Sequence, residues 1–302
     1  MPQKIKTNLD GHEIELTNLD KVFFPDGTTK SDLIRYYLKI ATVMLPHLEG
    51  RPLSFQRFPD GVDAEGFFQK QAPRSYPDWI KRISQGQKEI VDYASADSAA
   101  DLVYFAQQAV IVFHTALARG DKADYPDLMI FDLDPQTDSF EPVRQTAFGL
   151  KELLDGLDLK SYLKVTGGRG LHVTVPLDRG DNFENVHGFA LRLARFYQTR
   201  HPDDTTTEMS KAKRGSRVFI DVNRNHFSQT AVAPYSVRAR KTPSIAAPIT
   251  WEELESPDLK PDGYTIENIF KLLERRPDPW KNIYKNGQSI KGAAEKLKKL
   301  ES

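Results

Sequence analysis

Not one of the 302 residues is a cysteine, which excludes a disulfide framework, a thiolate zinc site and a cysteine nucleophile. Charge of one sign is missing too. The 42 basic and 42 acidic residues cancel, so a polyanion has to be held by local clusters, which argues against a histone-like binder. No stretch approaches the roughly 20 apolar residues of a membrane span. The start, Met1-Pro2-Gln3-Lys4-Ile5-Lys6, runs into polar residues without an apolar signal core, and a cytosolic location is expected. No internal repeat is visible. What is present, 39% hydrophobic, 10% aromatic and 28% charged residues, is the composition of a globular protein with a sizeable core. The length fits one bilobed module or two domains.

Helical spacing of apolar residues predicts a helix from Thr28 to Leu48, ended by Gly50 and Pro52, and a second from Ser98 to Arg119, followed by Gly120. The first third therefore reads as helices joined by loops with basic and aromatic residues. Further on, strand and helix alternate. Strands are predicted at 128–133, 161–166, 171–177 and 217–222, with helices at 143–154 and 183–199. The order βαββαβ is that of a ferredoxin-like or RRM-like sheet with one face free for a site. Beyond Tyr235 an irregular, Pro- and Arg-rich segment is expected, then a helix near 266–275, and a tail from Gly287 that is frayed or disordered.

Three places carry chemistry. In Ile130-Phe131-Asp132-Leu133-Asp134-Pro135 the alternation of a strand sends Asp132 and Asp134 to the same face. Such a pair on its own also reads as two solvated carboxylates at a strand end. Asp221, closing the apolar run Val218-Phe219-Ile220 in what should be the same sheet, makes a third acid and fits a two-metal site. Thr166-Gly167-Gly168-Arg169-Gly170-Leu171-His172 is a glycine turn carrying a cation and an imidazole. It reads either as a phosphate cradle or as a tight hairpin with a satisfied histidine. Basic runs at 211–217 and 238–241 flank Asp221, and acids beside cations suit a triphosphate and a nucleic-acid backbone.

Taken together, LTNLDKVFFPDGTTK, FFQKQAP, MIFDLDP, TGGRGLHVTVPL, VFIDVNRN and APYSVRARKTPSIAAPITWEEL resemble the polymerase module of the ligase D family, in the archaeo-eukaryotic primase superfamily. The resemblance spans about residues 10 to 275. It implies an α+β primase-polymerase fold whose βαββαβ catalytic sheet packs against an N-terminal α/β region. The chain would be a single module over 1–302, with an N-terminal subregion at 1–125, a catalytic one at 126–285 and a tail at 286–302.

The implied activity is a template-directed nucleotidyltransferase that extends 3′ ends and fills gaps at double-strand breaks in non-homologous end joining. It would prefer ribonucleotides among NTP and dNTP substrates and use two Mn²⁺ or Mg²⁺ ions. Ku and a DNA ligase are the implied partners, DNA ends with a 5′-phosphate the target, and a cytoplasmic, nucleoid-associated location the setting, with no membrane. By the same resemblance Asp132, Asp134 and Asp221 are the metal-binding triad, and Thr166, Arg169, His172 and Arg238 bind the triphosphate, with His114 in the site region. Thr166 and Arg169 depart from the family's Ser and Lys but keep a hydroxyl and a charge. Asn18, Lys21 and Lys30 match a 5′-phosphate pocket, and free N–H groups of the helix after Lys30 are expected to favour the same anion. Phe67 and Phe68 match a template-stacking pair, of which strand alternation allows at most one to reach DNA. Arg214 matches a DNA-contacting cation. A two-metal nuclease or phosphoesterase, or a non-catalytic end-bridging module, are the competing readings.

Overall fold

The computed structural model describes residues 4–87 and 89–302. The chain divides into two compact units, each assembled from separate stretches: Met1–Asp121, Thr230–Ala246 and Tyr264–Arg276 in the first, and Lys122–Gln229, Ala247–Gly263 and Pro277–Ser302 in the second. The first unit thus takes in Thr230–Ala246 and Tyr264–Arg276 from the later chain.

The first unit opens with a hairpin, β1 (Lys4–Leu9) and β2 (His12–Thr17). Helix α1 (Lys30–Met44) starts where expected, because Thr29 and Asp32 form a reciprocal capping box that ties down the first turn. Its buried Leu33, Ile34, Tyr37, Ile40, Ala41 and Met44 recur at helical spacing. Then come β3 (Leu53–Arg57), β4 (Phe67–Gln69), β5 (Arg82–Gln85) and β6 (Val91–Ala94). The expectation of helices joined by loops is thus corrected: this unit holds a sheet.

The predicted helix 98–119 is also corrected. It stops as α2 (Ala99–Gln107), capped by Ser98 and Asp101, and the chain continues as β7 (Val110–Ala116). The break is at Ala109, whose φ of 61° no helix tolerates. After it, Val110-Ile111-Val112-Phe113 is a fully buried run, β-branched up to Phe113, and such a run shows neither period. Phe55, Phe105 and Phe113 form the core around it, with ring centroids 4.7–6.1 Å apart.

The second unit gives the βαββαβ order. It runs β8 (Leu128–Asp134), α3 (Glu141–Gly156), β9 (Tyr162–Val165), β10 (Leu171–Pro176), α4 (Phe183–Arg200), a short β11 (Thr205–Thr206) and β12 (Val218–Asp221). In register across β8 and β10, Leu133 faces Leu171, Phe131 faces Val173 and Met129 faces Val175. All six are buried, each contributing roughly 1.5–3 kcal/mol relative to exposure. The alternate positions of the same strands form the other face, and these carry the acids.

Later elements close both units. β13 (Thr230–Val232) pairs with β7, so the first unit's sheet runs β13-β7-β3-β6-β5 with β4 beside β3. β14 (Pro248–Ile249) pairs with β9, and the second sheet runs β11-β12-β8-β10-β9-β14. α5 (Trp251–Glu255) belongs to the second unit and α6 (Ile269–Arg275) to the first. The tail expected to fray forms α7 (Lys291–Glu301): Ala293 and Leu297 are buried, and Arg192 holds Glu301 at 2.6 Å. No helix among the described residues is long and apolar enough to cross a membrane.

Candidate active site and phosphate pocket

Register brings four side chains into one row across the second unit's sheet. Asp221 on β12 stands opposite Asp132 on β8, Asp132 opposite His172 on β10, and His172 opposite Lys164 on β9. Asp134 projects from the same face one pleat further along β8, opposite Phe219. Asp132 is 5% exposed. Burial alone would push its carboxyl up, but His172 and Arg224 outweigh it and hold the group down near 2. Its Oδ1 lies 3.4 Å from His172 Nε2, and its Oδ2 accepts a 3.4 Å hydrogen bond from Arg224 Nε. Burial, with Lys164 and Arg224 also opposing a proton, pushes the His172 imidazole down. Near neutral pH the lasting compensation of Asp132 is therefore Arg224, with a neutral imidazole donating from Nε2.

Asp134 goes the other way. Burial and the charges of Asp132 and Asp221 raise it to about 6. Arg214 lowers it slightly from its place 3.5 Å above the Phe219 ring. That guanidinium is buried and donates to the carbonyls of Glu208 and Met209, which ties down its own loop. Asp221 Oδ1 accepts from both nitrogens of Asn223 at 2.8 Å.

The hairpin between β9 and β10 is built by close approach. A Cβ on Gly170 would lie 2.5 Å from the Leu133 carbonyl and 3.2 Å from Asp134 Oδ1, and Gly167 has a φ of 65°. Both the backbone N–H and the hydroxyl of Thr166 donate to the Gly170 carbonyl at 3.1 Å, so that hydroxyl serves the turn. Arg169 is exposed at the tip and makes no ion pair among the described residues. His172 Nδ1 is buried without a partner.

In the first unit, Asn18, Lys21 and Lys30 line one cavity of about 670 Å³. Lys30 is only 5% exposed. Its Nζ donates to the Thr17 carbonyl at 2.9 Å, and burial with Lys21 nearby lowers its pKa to about 8. Lys21 pairs with Asp60 at 2.6 Å. The expected free N–H groups at the start of α1 are not free: Lys30 N donates to Lys21 O, Ser31 N to Leu19 O and Asp32 N to Thr29 Oγ1. An anion here is left to the side chains.

Phe67 and Phe68 on β4 are 48% and 46% exposed. Both rings are half exposed, each with one neighbour against it. Phe68 meets His114 edge-on at 5.5 Å, and Arg57 lies 5.3 Å from the Phe67 centroid. His114 sits on β7, a strand and not a helix. Arg238 belongs to this unit, its N–H bonded to Ser244 O. Sequence reasoning passed over Arg224, three residues beyond Asp221 within the quoted VFIDVNRN, and Lys164 and Arg57, whose places only strand pairing reveals.

Three carboxylates on one face are hard oxygen donors of the kind a divalent cation takes. Burial and the charges of Asp132 and Asp221 raise Asp134 despite Arg224 and Arg214. The donor set fits such an ion, although among the described residues no three acid or histidine side chains are already drawn together around a point.

A mixed α+β chain with several sheets, a carboxylate row and a glycine-turn cation is the class of a nucleotidyl-transferring polymerase. Residues 29–280 match the family described as LigD, primase-polymerase domain, and the chain belongs to that family. It is 37% identical over 252 residues to the multifunctional non-homologous end joining protein LigD of Mycolicibacterium smegmatis, covering 82% of this chain and 33% of that protein. With the corresponding protein of Mycobacterium bovis the identity is 37% over 278 residues, 87% of this chain and 37% of the relative. The chain thus spans about a third of the length of these relatives. The solved polymerase domain of Mycobacterium tuberculosis ligase D in complex with DNA matches with a TM-score of 0.85 at 33% identity, over 91% of this chain and 99% of that one. Membership implies nucleotidyltransferase activity and divalent metals.

Proposed function

We propose that the chain is a template-directed nucleotidyltransferase of end joining, which extends primer 3′ ends and fills short gaps whose far side carries a 5′-phosphate. The observation that carries this reading is the row Asp221–Asp132–His172 with Asp134 beside it, set under the Arg169 turn. Asp132, Asp134 and Asp221 would hold two Mn²⁺ or Mg²⁺ ions, which when bound supply a lowered pKa at the primer hydroxyl and charge for the departing pyrophosphate.

The protein's own residues do the rest. Arg224 keeps Asp132 ionised and aimed. Gly170 lets the turn lie against the end of β8. The exposed Arg169 guanidinium meets phosphate oxygens with paired donors, and Arg238 is a second such cation. His172, anchored through Nε2 on Asp132, offers Nδ1, which takes up a proton as anionic phosphate approaches. Phe67 and Phe68 give stacking surfaces for unpaired template bases, with His114 beside Phe68. Lys21, Lys30 and Asn18 take the terminal phosphate, which carries more charge than an internal diester.

A ribonucleotide preference and work alongside Ku and a DNA ligase complete the reading. Primer extension on gapped duplexes, with and without a 5′-phosphate, comparing NTPs with dNTPs and Mg²⁺ with Mn²⁺, tests it. Lengthening of the primer is expected; shortening would favour a nuclease.

A further inference from the structure

The cavity that holds Lys21 and Lys30 is far larger than a phosphate needs. Its volume of about 670 Å³ lies within the range that accommodates a whole small ligand. The lysines occupy one part of the lining, and Tyr104, Pro77, Arg57 and Gln107 another. This second part is rigid. The Tyr104 ring is held edge-on by Trp79 at 5.5 Å and by Tyr76 at 5.4 Å. Gln107 is spent on Thr17, accepting from its N–H and donating to its hydroxyl. Arg57 is fixed by donating from Nε to the Gln108 carbonyl and from Nη1 to Gln69 Oε1, both at 2.8 Å.

Two donors are left over. Arg57 Nη2 and the Tyr104 hydroxyl make no hydrogen bond to any described residue. Burial and the neighbouring Tyr76 raise that phenol to about 12, which keeps its proton in place. A preformed surface of aromatic ring, proline and two free donors, beside a pair of ammonium groups, calls for a ligand with an anionic end and a flat polar remainder. When a terminal phosphomonoester sits on the lysines, what is covalently attached to it is the nucleoside of the same strand end.

We infer that the cavity binds the whole 5′-terminal nucleotide: its phosphate on Lys21 and Lys30, its nucleoside against Tyr104 and Pro77, with Arg57 and the Tyr104 hydroxyl donating to sugar or base acceptors. The inference rests on the 5′-phosphate reading of the lysines and adds a second, nucleoside-reading subsite. Recognition of a break then depends on an accessible terminal residue as well as on a charge.

Binding to one gapped duplex with three different 5′ ends separates the two layers: phosphate on a normal nucleotide, phosphate on an abasic residue, and hydroxyl on a normal nucleotide. The unaltered protein should bind the first at least about fivefold more tightly than the second, as loss of one base–aromatic contact predicts. Tyr104→Ala should erase that difference while still preferring phosphate to hydroxyl, and Tyr104→Phe, which keeps the ring, should retain most of it. Equal binding of the normal and abasic ends by the unaltered protein overturns the nucleoside subsite without touching the phosphate reading. A base preference that survives intact in Tyr104→Ala overturns it too. Equal binding of phosphate and hydroxyl ends would remove the phosphate reading, and this inference with it.

Discussion

The second unit's acidic row and the first unit's lysine cavity are the same electrostatic device with opposite signs. In the row, Asp134 is raised to about 6 by burial and by the charges of Asp132 and Asp221 beside it. In the cavity, Lys30 is lowered to about 8 by burial and by Lys21. Each unit holds like charges together against their repulsion, and each arrangement is relieved by a proton gained or lost or by a ligand of the other sign. The difference lies in how far compensation is built in. Asp132 is already neutralised by Arg224, and Lys21 by Asp60, so in each cluster one charge is settled and one is kept waiting.

The largest effects should come from breaking the acidic half. Asp134→Asn and Asp132→Asn should each reduce primer extension on the order of 10²–10³-fold or more, measured as single-turnover rates. Their thermal stabilities should diverge. Removing the crowded charge of Asp134 should raise the melting temperature in metal-free buffer, whereas Asp132→Asn leaves Arg224 without its carboxylate and should lower it. Added Mn²⁺ should stabilise the unaltered protein and do little for Asp134→Asn. Shifts of the same sign in both variants would dissolve the distinction between settled and waiting charge.

Next in size are the two arginines proposed to meet the triphosphate. Arg169→Ala and Arg238→Ala should each raise the KM for nucleotide by about 10- to 100-fold, the scale of a charged hydrogen bond, and change duplex affinity far less. An Arg238→Ala protein with normal KM and weakened duplex binding would move that residue to the DNA backbone.

How much of this was legible in the sequence follows from the range of the interactions. The strands bearing Asp132 and Asp221 and the glycine turn between β9 and β10 are local: alternation and turn glycines announce them. The capping box of α1 is equally local. β7 was hidden because Val110-Ile111-Val112-Phe113 is buried on both faces, and the helical spacing running through Ala106, Ala109, Phe113 and Ala116 was read instead. The roles of Arg224 and Lys164 depend on which residue stands opposite which. The Arg224 contact joins residues 92 apart in sequence, and the place of Lys164 depends on the register of the β9–β10 hairpin. The start of α1 shows the same limit: its N–H groups look free in sequence until Lys21 O and Leu19 O come back to take them.

A smaller effect sharpens the cationic half through pH. With Lys30 titrating near 8 in the free protein, a bound phosphate must hold it protonated. Above about pH 8, binding therefore consumes a proton and weakens as pH rises. Between pH 8 and 9 the affinity for a 5′-phosphorylated gap should fall by up to about tenfold, the limit for one proton taken up per complex. A 5′-hydroxyl gap should show little change. Parallel pH profiles for the two ends would show that Lys30 does not meet the phosphate.

The smallest expected effect is on stability, and its sign is the reverse of what losing a lysine usually brings. The folded-state pKa of Lys30, about 8, lies below the unfolded value of 10.5, so the unfolded chain binds more protons between those two values and stability rises with pH across that window. Below pH 8 both states are protonated, and the whole cost of burying the charge is present. Lys30→Met keeps the apolar stem and removes that cost, but it also removes the hydrogen bond to the Thr17 carbonyl. The net gain at pH 7 should be on the order of 1 kcal/mol in denaturant melts, shrinking and then changing sign as pH climbs toward 10.5, where the unaltered protein has shed the proton and still keeps the bond as a neutral amine donor. A variant that gains stability while losing its preference for phosphorylated ends would mark Lys30 as a charge held in place for its ligand. One that loses stability at every pH would make the buried lysine a structural tie to Thr17, and the symmetry between the two units would end there.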